Sequence, residues 1–300
     1  VSSPSPSWPA ASPGRRRTLD PKLDVVFKML FGDPRHQRLL VSLLEAVMQP
    51  ATPITDVTVL NPGLPKDLAG DKDVELDVRV REGSGRQYDV EMQCARPLAM
   101  AKRALFYWAR MYGSELGVGQ RYAELQPCVV IWFLAYSELE TARLHSRYRL
   151  LETSDYTVFC DDLELHVVEL PKLAQVAAGG DEPRLVAWSK FLAAMTDAEL
   201  EGLAMADPEL REAKEALERV SADERARVTA QARELALISR QLDLTYARKG
   251  GLEEGRREGE AVGRRAVVAL CEVLGVRLDE DRRRQLEAAD ATELSALLTA

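Results

Sequence analysis

The chain has 300 residues, of which 46% are apolar and 29% charged, enough to bury a real core. This composition excludes a wholly disordered chain, a collagen-like fibre and a disulfide-stapled mini-protein. Its 40 basic and 48 acidic side chains leave a net charge of −8. No overall basic field therefore draws in nucleic acid, and any phosphate-binding surface has to be local. The longest apolar run, Cys128 to Tyr136, is nine residues, too short to cross a bilayer. No basic-then-apolar leader is visible, and Cys94, Cys128, Cys160 and Cys271 lie far apart with no CxxC pair. The expectation is a cytoplasmic chain with reduced thiols.

Residues 1–19 are rich in Ser, Pro and Ala, end near Arg15-Arg16-Arg17, and are expected to be disordered. A helix is predicted from Asp20 as N-cap and Pro21 as first helical residue, with Leu23, Phe27, Leu30 and Phe31 as its buried stripe and Gly32 as its end. Asp24 and Lys28, four apart, share its more polar face. A second helix follows over His36 to Met48 and breaks at the Pro50–Pro53 stretch.

The period then changes to two. Ile54 to Leu60 reads as a strand. Val74 to Arg81 alternates cleanly, with Val74, Leu76, Val78 and Val80 inward and Glu75, Asp77, Arg79 and Arg81 outward. The turn Glu82 to Arg86 leads into Gln87 to Gln93, again alternating. A helix is expected over Pro97 to Leu116, and the apolar run Cys128 to Ala135 suits a strand buried on both faces. His145 to Leu151, Thr157 to Phe159 and Leu163 to Leu170 complete an α/β half with a mixed sheet. Beyond Leu170 all signals are helical: Leu185 to Met195, Asp197 to Met205, and a charged amphipathic stretch from Asp207 to Lys249. Gly251, Gly255, Gly259 and Gly263 then recur every four residues. The expected organisation is an α/β domain over 20–190, long amphipathic helices over 191–264, and a small helical unit over 265–300.

The hairpin carries the first chemical signal. A turn centred on Ser84 sets Asp77 opposite Glu91 and Glu75 opposite Gln93, with Asp77, Glu91 and Gln93 on the polar face. Facing carboxylates repel unless a cation sits between them, and hard oxygen ligands suit Mg²⁺, Mn²⁺ or Ca²⁺. A solvated sheet face has the same period, so spacing alone leaves both readings open.

Three stretches, LDPKLDVVFKMLFGD, KDVELDVRVREGSGRQYDVEMQ and KRALFYWARMYGSELGVGQRYAELQPCVVIWFL, resemble the Rpn family of recombination-promoting nucleases and transposase-like proteins, within the PD-(D/E)XK superfamily. The resemblance covers roughly residues 19–170, and the glycine repeat is common in that family. It implies a PD-(D/E)XK restriction-endonuclease-like core and metal-dependent cleavage of DNA, in a recombination, transposition or defence context. Residue by residue, it makes Asp24 the first-helix acid, Asp77 the hairpin acid, Glu91 the strand acid and Gln93 the counterpart of the superfamily Lys. The metal, Mg²⁺ or else Mn²⁺ or Ca²⁺, would rest on Asp77, Glu91 and the Met92 backbone carbonyl, with Asp24 completing the site. Gln93 cannot hold a positive charge but can hydrogen-bond a water. Leu76 stands where the superfamily motif has Pro.

Cys94 to Ser114 holds Arg96, Lys102, Arg103 and Arg110 and no acid. Arg103, Tyr107 and Arg110 fall on one helical face, suited to a DNA backbone; the rival reading is a helix snorkelling past the sheet with Tyr107 in the core. His36, His145 and His166 show no ligand spacing. Two rival functions are a degenerate fold that grips DNA without cutting it, and a scaffold acting through its helical tail. The apolar residues within Glu209 to Lys249 need a partner surface, and a second copy of the chain is the expected one.

Overall fold

A computed structural model of the chain describes residues 18–60, 63, 76–96, 99–117, 119–176, 182–290, 293, 294 and 296. Residues 1–17, Val74 and Glu75 lie outside them, and with them the predicted tail and the Glu75–Gln93 pair. The chain runs α1 (Asp24–Phe31), α2 (Gln37–Met48), β1 (Thr58–Leu60), β2 (Val78–Arg81), β3 (Gln87–Gln93), α3 (Met100–Gly113), β4 (Cys128–Leu134), β5 (His145–Leu151), β6 (Val158–Glu169), α4 (Pro183–Ala193), α5 (Asp197–Ala206), α6 (Pro208–Ala222), α7 (Glu224–Val273) and α8 (Glu280–Ala288). Among the described residues no helix is long and apolar enough to cross a membrane.

The six strands form one mixed sheet in the order β1-β2-β3-β4-β6-β5. β3, β4 and β6 run parallel, and the other neighbours are antiparallel. β2 and β3 pair in the register a turn centred on Ser84 dictates, Val78 opposite Val90 and Arg79 opposite Asp89. The turn closes through Gly85, whose φ of 95° lies in the left-handed region, with its N–H donated to the Glu82 carbonyl at 2.8 Å. β1 is shorter than the Ile54–Leu60 strand the sequence suggests. β6 is one twelve-residue strand where two were expected. α1 starts at Asp24, because Asp20 instead closes a preceding turn: its carboxylate accepts the Lys22 N–H at 3.0 Å and its carbonyl the Leu23 N–H at 3.0 Å.

Two layers cover the sheet. On one face Phe27 and Phe31 of α1 pack with Phe133 and with Trp188 of α4. On the other, Met100, Ala104, Tyr107 and Met111 of α3 pack against Cys128, Val130, Trp132 and Leu134. This second layer overturns the solvated-face reading of the hairpin. Gln87, Asp89 and Glu91 alternate with apolar residues as predicted, yet they are fully buried, because α3 lies across them.

The sheet's compact unit extends to Glu234, well past residue 190. The reason is packing: Trp188 donates its indole N–H to Ser42 at 3.0 Å, and Arg184 pairs with Glu45 and Glu209. A second unit, Leu235–Ala300, holds a small core of Val267, Leu286, Ala289 and Leu294. Within it a Cβ at Gly263 would stand 3.2 Å from Leu294, whereas Gly255 and Gly259 face open space.

Candidate active site

The β2–β3 pairing brings Asp77 and Glu91 into mutual contact. The Asp77 backbone N–H donates to Glu91 Oε1 at 2.9 Å, and the Met92 N–H donates to Asp77 Oδ2 at 2.9 Å. Each carboxylate therefore grips the other's strand, leaving Asp77 Oδ1 and Glu91 Oε2 for other partners. Glu91 Oε2 accepts a hydrogen bond from the Gln93 side-chain amide at 2.8 Å. The Gln93 side-chain oxygen, Oε1, in turn accepts from Arg103 Nη1 at 3.4 Å. Arg103 is held from three sides: two of its nitrogens donate to the Tyr107 hydroxyl at 3.0 and 2.7 Å, and its guanidinium lies over the Tyr107 and Trp132 rings.

Opposite this line, Lys28 of α1 places Nζ 3.3 Å from Asp77 Oδ1. Asp24, one turn earlier, is clamped by Arg233 of α7, with contacts of 2.8 Å from Nε and 2.6 Å from Nη2. Each of its oxygens thus faces the Arg233 guanidinium.

Crowding buried acids has electrostatic consequences. Burial, then the charge of Asp77, pushes the Glu91 carboxyl up to about 8. Burial also raises Asp77, against the pull of the Met92 N–H and Lys28. Asp89, one alternation before Glu91 on the same face, is fully buried and held well above the usual carboxylate range by burial and by both neighbouring acids. Neither Asp89 oxygen has a hydrogen-bond partner. Asp89 and Lys28 are the site residues that sequence reasoning passed over. The signals were present: Asp89 shares its face with Glu91 by period two, and Lys28 shares a helical face with Asp24.

The expected DNA-contacting residues separate. Arg103 stands beside Gln93. Tyr107 is buried and acts as the acceptor that holds Arg103. Arg110 is half-buried on the same helix, and Lys102 is exposed. Arg96 is drawn toward the loop after β4, paired with Glu138 at 2.7 Å and with the Ser137 carbonyl at 2.6 Å. Two of the histidines pack against each other. His145 Nε2 and His166 Nδ1 meet at 2.8 Å, because antiparallel pairing of β5 and β6 brings together residues 21 apart in sequence.

Among the described residues no group of three or more His, Cys, Asp or Glu is arranged as a ready metal site. The donors at the hairpin nonetheless fit a hard divalent cation. Two carboxylates converge, and their mutual repulsion is what such an ion relieves. The Met92 carbonyl lies on the same side: Gln93 gives its carbonyl to β4 through the Ala135 N–H, so Met92, one residue back, faces β2.

A mixed sheet with parallel central strands, helices on both faces and an acid pair where a hairpin meets its core strand defines the PD-(D/E)XK α/β fold. Over residues 21–247 the chain matches the family model described as PD-(D/E)XK nuclease family transposase, and it belongs to that family. Comparison with curated proteins found no match, and neither did comparison with solved structures. Nucleases of this class generally use divalent metals and act on DNA.

Proposed function

We propose that the protein is a metal-dependent endonuclease that hydrolyses phosphodiester bonds of DNA, in a recombination, transposition or defence setting within the cytoplasm. The observation that carries this reading is the buried Asp77–Glu91 pair, cross-braced through each other's strands and flanked by Gln93, Arg103 and Lys28. Acids held together inside a protein cost stability, and a bound divalent cation relieves that cost.

Asp77, Glu91 and the Met92 carbonyl would hold Mg²⁺, with Mn²⁺ or Ca²⁺ as substitutes. Once bound, the ion lowers the pKa of a coordinated water and polarises the phosphoryl oxygen. The protein's own groups do the rest. Gln93, its amide oriented by Glu91 on one side and Arg103 on the other, hydrogen-bonds the attacking water. Arg103, pre-set on two aromatic rings, faces the negative charge that grows on the phosphate. Lys102 and Arg110 line the same helix and steer the duplex backbone.

Purified protein incubated with supercoiled plasmid, with and without Mg²⁺, Mn²⁺, Ca²⁺ or chelator, tests this. Nicking that needs the metal is expected, and intact plasmid under every condition overturns it. We also propose that the chain self-associates through α7, where Leu235, Leu242 and Leu244 are each more than half exposed. Light scattering is expected to give a dimer mass, and a monomer at micromolar concentration defeats that proposal.

A further inference from the structure

A cavity of about 600 Å³ opens between α1, the short turn Pro34–His36 and the junction of α6 with α7. Its walls bring Lys28, Arg35, Arg219 and Arg225 together with only two acids, Asp33 and Asp223. Both acids are already engaged. Asp33 accepts the backbone N–H of Arg35 at 2.9 Å and pairs with its guanidinium at 2.5 Å. Asp223 caps α7, accepting the Ala226 N–H at 2.9 Å. Arg219 and Arg225 are exposed and have no carboxylate partner among the described residues.

The placement of Arg225 runs against local stability. It sits in the first turn of α7, beside the positive end of the helix dipole, where an acid is favoured. The break at Asp223 sets Arg219, in the last turn of α6, on the same wall. Two guanidinium groups without a carboxylate partner among the described residues, one at the end of α6 and one at the start of α7, are a recognition surface for phosphate, which the planar fork meets with two parallel hydrogen bonds. Lys28 joins this wall to the candidate site, since the same amine lies 3.3 Å from Asp77 Oδ1. In a chain of net charge −8 this cleft is the kind of local basic surface that contact with a polyanion requires.

We propose that the α1/α6–α7 cleft holds the DNA phosphodiester backbone next to the bond at the acid pair, with Lys28 at the junction and Arg219 and Arg225 gripping the phosphates beyond it. This rests on the endonuclease reading and adds a second contact surface, on the opposite side of the site from Arg103.

The test is fluorescence anisotropy of a labelled duplex in chelator at several KCl concentrations, with plasmid nicking by the wild type run in parallel. The variant Arg219→Gln/Arg225→Gln alters two exposed side chains, and circular dichroism melting verifies its fold. It is expected to bind at least about tenfold more weakly, with a salt slope shallower by roughly two, one for each phosphate no longer neutralised. Arg240→Gln/Arg248→Gln removes the same net charge elsewhere on α7 and is expected to keep the wild-type slope. An unchanged slope in the first variant, or equal losses in both, overturns the proposal even if wild type nicks plasmid. A lost slope in the first variant alone, from a wild type that binds but never nicks, upholds the cleft and overturns the endonuclease reading. A wild type that does not bind the duplex overturns the cleft, and one that also leaves plasmid intact overturns both.

Discussion

The two sides of the sheet treat buried charge in opposite ways. At the β2–β3 hairpin three acids, Asp77, Asp89 and Glu91, lie together; burial pushes all three upward, and the charge of Asp77 adds to the rise of the other two. Near β5 and β6 every buried acid has a partner. Glu169 accepts the N–H groups of Glu138 and Leu139 at 2.6 and 3.1 Å and pairs with Lys172. For Glu164, burial works upward but is outweighed by His166 and Arg147, which hold it down to about 2. The β5–β6 side thus matches its buried acids with bases, whereas the hairpin crowds three acids around a Lys28 ion pair and leaves Asp89 without a hydrogen bond.

The sharpest way to break this contrast is to delete one acid from each side. Asp77→Ala or Glu91→Ala should cut plasmid nicking on the order of a thousandfold or more, since a metal ligand is lost, while metal-free melting above about pH 8, where Glu91 is ionised, holds or rises because a repulsion has gone. Nicking at the wild-type rate by either folded variant removes these residues from the site. Glu169→Ala should do the reverse, costing about 3–5 kcal/mol in urea unfolding by stranding Lys172.

The next effect is on pH. Glu91 sits at about 8 in the fold against 4.5 when exposed, so the folded state holds the extra proton between those values. Metal-free stability should therefore fall as pH rises from about 4.5 to 8, and a divalent cation should restore it most at the upper end. His145 is held down to about 4, first by burial and then by His166, so its contribution is lost in the other direction, as pH falls from 6.5 to 4. Melting profiles should lose the alkaline limb in Glu91→Gln and soften on the acid limb in His145→Phe. The smallest effect is expected from Arg103→Ala: duplex binding weakened about equally for all sequences and a salt slope lower by about one. An unchanged slope makes Arg103 a brace for Gln93 alone.

Local rules carried the hairpin furthest. Period-two alternation and a short turn leave one register for Asp77 and Glu91, and the structure has that register. The same alternation misread what covers the face, because α3's docking on it is tertiary and Gln87, Asp89 and Glu91 read as surface residues. Asp24 was placed on the correct helix, but the residue that holds it, Arg233, lies 209 positions away. His145 and His166 look scattered until two strands pair. Separation along the chain, more than residue chemistry, decided what stayed hidden.

That separation of Asp24 from Arg233 has a consequence for the protein as it is made. A ribosome adding about 5–20 residues per second needs roughly ten to forty seconds to pass from one to the other. Throughout that interval the emerging chain carries its first-helix acid without the arginine that clamps it, and the Lys28–Arg219–Arg225 cleft has only one wall. A chain that, on the reading proposed above, cuts DNA thus reaches its finished form only once nearly the whole compact unit has been synthesised.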